Sequence, residues 1–423
     1  MLATVAVVHL AYGRAGLDLE LPDGADVLEP RRLAGLPDEA NAIRRALREP
    51  IGSRPLRELV PAGAAVGVSV CDVTRPFPAR RVLPVLLDEL STARVTVFVA
   101  TGTHRACTPA ELERMLGPEV LAAVEVVQHD AFDRSRHAAL GVVPGSATPA
   151  LVERAFLEQD VRLTTGFIEP HFFAGFSGGP KMVVPGLAHL DTVLELHSAT
   201  RIGHPSATWG VIAGNPVHDA VRDIAARAGV AFNLDVTLNH EHRITRVFAG
   251  ELAASHMAGC AFAMETAMAP VVAPYDVVVS TNSGYPLDQN LYQTVKGMSA
   301  AAQIVRPGGA IVMASECADG LPEHGRYKDL LRGSAGPSAF LERLAQAATA
   351  EHDQWQVQVQ AQIQRRARVL VYAGGLAADQ VRAAWLEPID DVGACAAGLL
   401  AAAGPGARLA VLPQGPQTIP YVA

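Results

Sequence analysis

The run Gly166-Phe167-Ile168-Glu169-Pro170-His171-Phe172-Phe173-Ala174-Gly175-Phe176-Ser177-Gly178-Gly179-Pro180-Lys181 concentrates more chemistry than any other part of this 423-residue chain. Gly175, Gly178 and Gly179 permit positive φ and a close approach of backbone to a ligand. His171 offers a base and Lys181 a nucleophile in the same loop. A phosphate loop is excluded, because G-x-x-x-x-G-K-[ST] needs Ser or Thr where Met182 stands, and Pro180 has no N–H to donate. The dinucleotide pattern G-x-G-x-x-G is missing as well. A merely turn-rich connection is the plainer alternative, but long structureless loops inside domains are usually functional.

Two shorter loops carry related chemistry. In Asp72-Val73-Thr74-Arg75-Pro76, Arg75 presents a planar fork of donors suited to a carboxylate or phosphate; the competing reading is a surface pair with Asp72. In Thr101-Gly102-Thr103-His104-Arg105, Gly102 brings the backbone close while the His104 imidazole could act as a general base near neutral pH. A histidine bonded to a loop carbonyl is the ordinary alternative. His197 lies sixteen residues beyond Lys181 and eight after His189. On a helix expected over 187–198, both rings would share a face. Without an H-E-x-x-H pattern, metal ligation by His197 competes with a structural role. Tyr292, Gln293 and Lys296 open a further helix, where Gln293 and Lys296 stand at i and i+3. They could grip an anionic, hydroxylated small molecule near the helix N-terminus, or simply form a solvated face.

These residues need a scaffold, and the sequence alternates short β-branched runs with helical patterns. Strands are expected at 65–71 and 94–100, with helices at 79–90 and 109–116; Thr108-Pro109-Ala110-Glu111 is a capping box with Pro at the first helical position. A strand at 161–165 leads into the long loop 166–186, and a helix follows Asn215-Pro216. After a helix near 252–267, Ala-Pro at 269–270 and 273–274 reads as a linker. A second series follows, with strands at 276–280, 310–314 and 369–372 and helices at 291–304 and 354–366. Such alternation implies βαβ units. The expectation is an α/β fold of two α/β domains with mainly parallel sheets, residues 1–268 and 269–423, the active site at the interdomain cleft. The extreme C-terminal tail is expected to pack on the first domain. All three polar loops follow strands, where open α/β sheets bind their ligands.

Composition narrows the function classes. Apolar residues make up 49%, aromatics 5% and charged residues 18%, so the core must be built from Ala, Val and Leu. A net charge of −8 with no basic block argues against a nucleic-acid partner. Five scattered cysteines without CxxC spacing encode neither a disulfide framework nor a thiolate zinc site, and suggest a reducing, cytoplasmic setting. The apolar N-terminus lacks a basic n-region and reads as a strand rather than a signal peptide. No stretch has the length and apolarity of a transmembrane helix.

Taken together, D-V-T-R-P at 72–76, T-G-T-H-R at 101–105, E-P-H-x-F-A-G-x-S-G-G-x-K at 169–181, His197 and Q-x-x-K at 293–296 resemble the nickel-pincer lactate racemase family over nearly the whole chain. The resemblance implies a nickel-pincer nucleotide, nickel pyridinium-3,5-bisthiocarboxylic acid mononucleotide, attached covalently to Lys181 through a thioamide. Its nickel would be held by one carbon and two sulfurs of the nucleotide plus His197, which fits the scarcity of cysteine ligands. His104 and His171 match the family's paired catalytic histidines and Arg75 its carboxylate-binding arginine. Gln293, Lys296 and Tyr292 correspond to substrate contacts. Asp72, Thr74, Arg75 and Ser177 fall at cofactor-neighbouring motif positions, and Trp355 is matched to an aromatic residue packing on the pyridinium ring. The implied activity inverts C2 of a 2-hydroxy acid, lactate or a close relative, by reversible proton-coupled hydride transfer through a 2-keto acid. Enzymes that build the cofactor are the implied partners. A larger hydroxy acid such as malate, an aryl-lactate or a sugar acid is the nearest alternative. More distant ones are a non-catalytic nickel-cofactor-binding protein and a zinc hydrolase using His171 and His197.

Overall fold

Ala65–Cys71 is buried along nearly its whole length, and a strand hidden on both faces needs parallel neighbours and covering helices. In the computed structural model, which describes residues 6–22, 24–322, 325–347 and 349–423, it pairs in parallel with Arg94–Ala100 on one side and Val161–Phe167 on the other. The six-stranded sheet runs in the order Ile244–Gly250, Phe232–Leu238, Val161–Phe167, Ala65–Cys71, Arg94–Ala100, Glu125–Gln128. Only the edge strand Ile244–Gly250 is antiparallel. Val66, Val68, Val70, Val97 and Val99 join Leu83 and Leu86 of the helix Ala79–Glu89 in one core. The expectation of a mainly parallel α/β fold holds.

The strand order explains where a ligand can enter. From Ala65–Cys71 the chain builds outward through Arg94–Ala100 and Glu125–Gln128, then returns to lay Val161–Phe167 on the opposite flank. The connections leaving these two central neighbours diverge, which opens a crevice beyond their carboxyl ends. Asp72 follows one strand directly, and the Gly/Pro-rich loop follows the other.

A second six-stranded sheet is wholly parallel, in the order Glu387–Pro388, Arg368–Tyr372, Val305–Ala314, Tyr275–Thr281, Leu409–Leu412, Asp26–Val27. Its last strand comes from the N-terminal part of the chain. Leu10, Leu19 and Leu21 join Val277, Val279 and Val411 in its core. The chain therefore divides into one unit of residues 1–31, 198–204 and 266–423, and another of 32–197 and 205–265. Beside the expected cut at 268, the N-terminal strands Leu17–Leu21 and Asp26–Val27 group with the second sheet, to which this segment supplies an edge strand and apolar side chains. Ile419–Val422 pairs in parallel with Met268–Val271 inside that same unit. Among the described residues no helix is long and apolar enough to cross a membrane.

Candidate active site

Asp72, at the end of the central strand, is 4% exposed. Its Oδ1 accepts from the Thr74 hydroxyl at 2.6 Å, and its Oδ2 lies 2.8 Å from Nδ1 of His104. Burial opposes ionisation of Asp72, yet hydrogen bonds from His104 and Thr74 and the Arg75 charge outweigh it and hold the carboxyl below its ordinary range. An ionised carboxylate can only accept, so His104 donates Nδ1–H and carries its lone pair on Nε2. The D-V-T-R-P and T-G-T-H-R loops are thus joined by a charge-assisted contact, with Thr74, Arg75 and His104 exposed at the rim. Arg105 points elsewhere, forming a two-pronged pair with Glu111.

The loop after Val161–Phe167 is not structureless. Pro170–His171 and Gly175–Phe176 form a two-rung hairpin, and a single 3-10 turn, Gly179–Met182, presents Lys181. Ser177 holds this shape from inside: its hydroxyl donates to the Phe167 carbonyl and accepts from Glu169 N–H, both at 2.9 Å. The hydroxyl expected beside the cofactor is thus committed to the loop's own backbone. Gly175 has φ +76°, and a Cβ there would stand 2.3 Å from the Val211 carbonyl oxygen, so no other residue fits. Beneath the double glycine, Gly179 N–H donates to Asp235 Oδ2 at 2.9 Å. Burial pushes the Asp235 carboxyl up to about 7, against hydrogen bonds from Asn233 and Gly179. Ser69 on the central strand donates to the Met182 carbonyl at 2.6 Å, and Gly102 N–H reaches Gly186 O at 3.0 Å. These bonds tie the long loop to the central strand and to the His104 loop.

Phe173 is the centre of what the loop displays. Its ring lies 4.5 Å from the His171 ring and 5.1 Å from the His197 ring, both edge-on, with Lys181 Nζ 5.8 Å away. His171 Nδ1 accepts from Ala174 N–H at 3.3 Å, which places the ring proton of the neutral form on Nε2. The helix expected over 187–198 is shorter, Leu190–Leu196. His189 is its N-cap, accepting from Asp191 N–H, and His197 its C-cap. The two therefore do not share a helix face. His189 packs on His137, and His197 on Phe173. His197 donates Nδ1–H to the Val193 carbonyl at 2.7 Å, which fixes the tautomer whose lone pair is on Nε2, the form in which a histidine ligates a metal. A lysine, a histidine so oriented and an aromatic face between them suit a covalently held, metal-bearing nucleotide. These residues fit the implied cofactor.

Family models for the lactate racemase N-terminal domain and C-terminal domain match residues 12–210 and 271–419. A lactate racemase of Thermoanaerobacterium thermosaccharolyticum is 34% identical over 399 residues, covering 92% of this chain and 93% of that protein. The chain belongs to the lactate racemase family. A second relative, from Lactiplantibacillus plantarum, is 34% identical over 383 residues, with 89% and 90% covered. The lactate racemase apoprotein structure from T. thermosaccharolyticum superposes with a TM-score of 0.92 at 32% identity, covering 98% of this chain and all of that one. A Thermotoga maritima protein at 18% identity and TM-score 0.67 shares the fold. Membership makes the chain a racemase, an isomerase.

The remaining residues singled out in the sequence lie in the other unit. Asn290 caps the helix Leu291–Ala302 by accepting from Gln293 N–H. Tyr292, Gln293 and Lys296 are half-buried on its first turns, and the Tyr292 ring meets Tyr327 edge-on. Trp355, on the helix Gln354–Arg366, is buried against His352. Sequence reasoning passed over Phe173 and Asp235. The doubled Phe inside a glycine-rich loop, and an Asp within the strand Phe232–Leu238, were the available signals.

Proposed function

We propose that this racemase inverts C2 of a 2-hydroxy acid, lactate or a close relative, with a nickel-pincer nucleotide held by Lys181 and His197. The gathering of His171, Lys181 and His197 around Phe173 carries the reading. The α-hydrogen of a 2-hydroxy acid is poorly acidic, because the carboxylate disfavours a second negative charge at Cα. When bound, the nucleotide would supply the two-electron acceptor and donor that side chains lack. The protein then has to bind the acid, move the hydroxyl proton and exclude water. Arg75 would pair with the substrate carboxylate. His104, with its Nδ1–H held by Asp72, is prepared to take the hydroxyl proton at Nε2, and the carboxylate stabilises the resulting cation. His171 would serve the opposite face of the planar 2-keto acid. Gln293, Lys296 and Tyr292 are proposed as further substrate contacts, Asp72 and Thr74 as cofactor neighbours, and Trp355 as an aromatic partner of the pyridinium.

Nickel-loaded protein, made together with cofactor-building enzymes, is incubated with single enantiomers of lactate, malate, aryl-lactates and sugar acids. Loss of optical purity with one of them is expected; inertness on all would sink the catalytic reading. Intact mass should show a nucleotide adduct that Lys181→Ala lacks. His197→Ala should lower bound nickel, and unchanged nickel would remove the ligand role.

A further inference from the structure

Behind the His104 loop, on the side away from Asp72, lies a polar cluster that the reaction does not use. His129 follows the edge strand Glu125–Gln128, while His137 and Glu153 are cross-strand partners at the open end of a hairpin formed by His137–Val142 and Pro149–Glu153. All three are buried, at 2%, 4% and 2% exposure. One ligand atom from each lies within 4.8 Å of the other two. The two imidazoles face each other, Nε2 to Nε2, at 3.0 Å.

The hydrogen bonds on the far side of each ring decide what lies between them. His137 donates Nδ1–H to the Asp133 carbonyl at 2.8 Å, so its Nε2 bears a lone pair. The Thr101 hydroxyl donates to the His129 carbonyl at 2.9 Å and is then free to accept from His129 Nδ1 at 3.2 Å. With Nδ1 protonated, the Nε2 of His129 bears a lone pair as well. In the opposite tautomer, the His129 carbonyl and its Nδ1 would compete for the single Thr101 proton. Two lone pairs 3.0 Å apart repel unless a cation stands between them. Two imidazole nitrogens on one zinc ion, each at about 2.0 Å, lie roughly 3 Å apart. Glu153 completes the picture, with Oε2 buried and without an aligned hydrogen bond.

We propose that His129, His137 and Glu153 form a binding site for a zinc-class divalent metal, separate from the Lys181 and His197 site. Three protein ligands leave one tetrahedral position for water. Arg136, 3.1 Å from Glu153 Oε2, opposes the added charge, whereas Asp130 and Asp133 contribute negative potential at Glu153. Both Nδ1–H bonds fix the ligating tautomers, as outer partners of metal-bound histidines do. The bound ion would fasten strand to hairpin directly beneath Thr101, at the base of the His104 loop.

The test uses the full-length chain made without cofactor-building enzymes, stripped of metal, in a His197→Ala background that removes the proposed nickel ligand. Cobalt(II) titration should raise a tetrahedral d–d absorption that saturates at one equivalent, and zinc should abolish it. His137→Gln should remove the signal. Glu153→Gln should weaken cobalt binding by at least ~10-fold, and this conservative variant keeps the test decisive if His137→Gln misfolds. Zinc should also raise the Tm of the parent chain but not of Glu153→Gln. A folded parent that binds no cobalt, or binding undiminished by Glu153→Gln, overturns the site.

Discussion

The two histidine-bearing loops of the racemase are supported in different ways. His104 rests on an ionised aspartate: Asp72 is buried, hydrogen-bonded by Thr74 and held below its ordinary pKa. His171 sits among rings, stacked on Phe172 and edge-on to Phe173, and its glycine-rich loop lies over Asp235, whose carboxyl burial pushes up to about 7. One loop is organised by charge, the other by aromatic packing and backbone hydrogen bonds. Two buried aspartates of the same sheet thus shift in opposite directions, because one faces an imidazole and an arginine while the other meets only neutral donors. The difference suggests that His104 is tuned for proton transfer and that the His171 loop is shaped to receive a large planar group.

The largest effects should come from the histidines themselves. His104→Ala and His171→Ala are each expected to lower racemisation by at least ~10²-fold, the lower end for a lost general acid or base. Chiral chromatography of time points measures this, and full activity in either variant would remove that residue's role. Next in size is Asp72→Asn, which keeps the shape but not the charge behind His104. It should lower kcat by roughly 10-fold, less than the loss of the base itself, with KM little changed. Adding Asp72→Asn to His104→Ala should cost almost nothing further, because Asp72 is expected to act through that ring. Additive losses would break the contrast between a charge-held and a ring-held histidine.

The same contrast explains what was legible in the sequence. Ala65–Cys71, Arg94–Ala100, Pro109–Leu116, Leu252–Ala267 and Gln354–Arg366 match their expected limits, because period, capping and turn signals are local. The pairing of Asp72 with His104 was not legible, since 32 residues separate them and only adjacent parallel strands bring their carboxyl ends together. Motif spacing marked His197 but misplaced it on a helix with His189. Short caps at both ends shorten that helix to Leu190–Leu196 and turn the two rings into different surroundings. The membership of residues 1–31 in the second sheet was equally hidden, because Asp26–Val27 is a two-residue strand whose partner lies more than 380 residues later.

A smaller loss is expected from Phe173→Leu. Edge-on aromatic contacts are worth about 1 kcal/mol beyond buried area, so both His171 and His197 should loosen. Racemisation should fall roughly 5-fold, the rate equivalent of that energy, and nickel should leave faster on dialysis. If Phe173→Leu retains nickel and rate unchanged, the ring is not the centre of the site.

The smallest effect on rate, and the clearest on stability, belongs to Asp235. Its carboxyl titrates at 3.8 when unfolded and at about 7 in the fold, so between those values the native state binds the extra proton. Stability must then fall as pH rises through that window. Asp235→Asn keeps an acceptor for Gly179 N–H and removes the titration. Its Tm should therefore decline less than that of the parent between pH 3.8 and about 7, while racemisation stays within a few-fold of the parent. Asp72, with its lowered carboxyl, works with the opposite sign: its contribution is present above its unfolded value and is lost as acid is added. Differential scanning calorimetry of Asp235→Asn between pH 3.8 and about 7, and of Asp72→Asn as the pH is taken down through and below 3.8, separates the two. If both variants follow the parent's pH curve, the two loops do not rest on oppositely tuned aspartates.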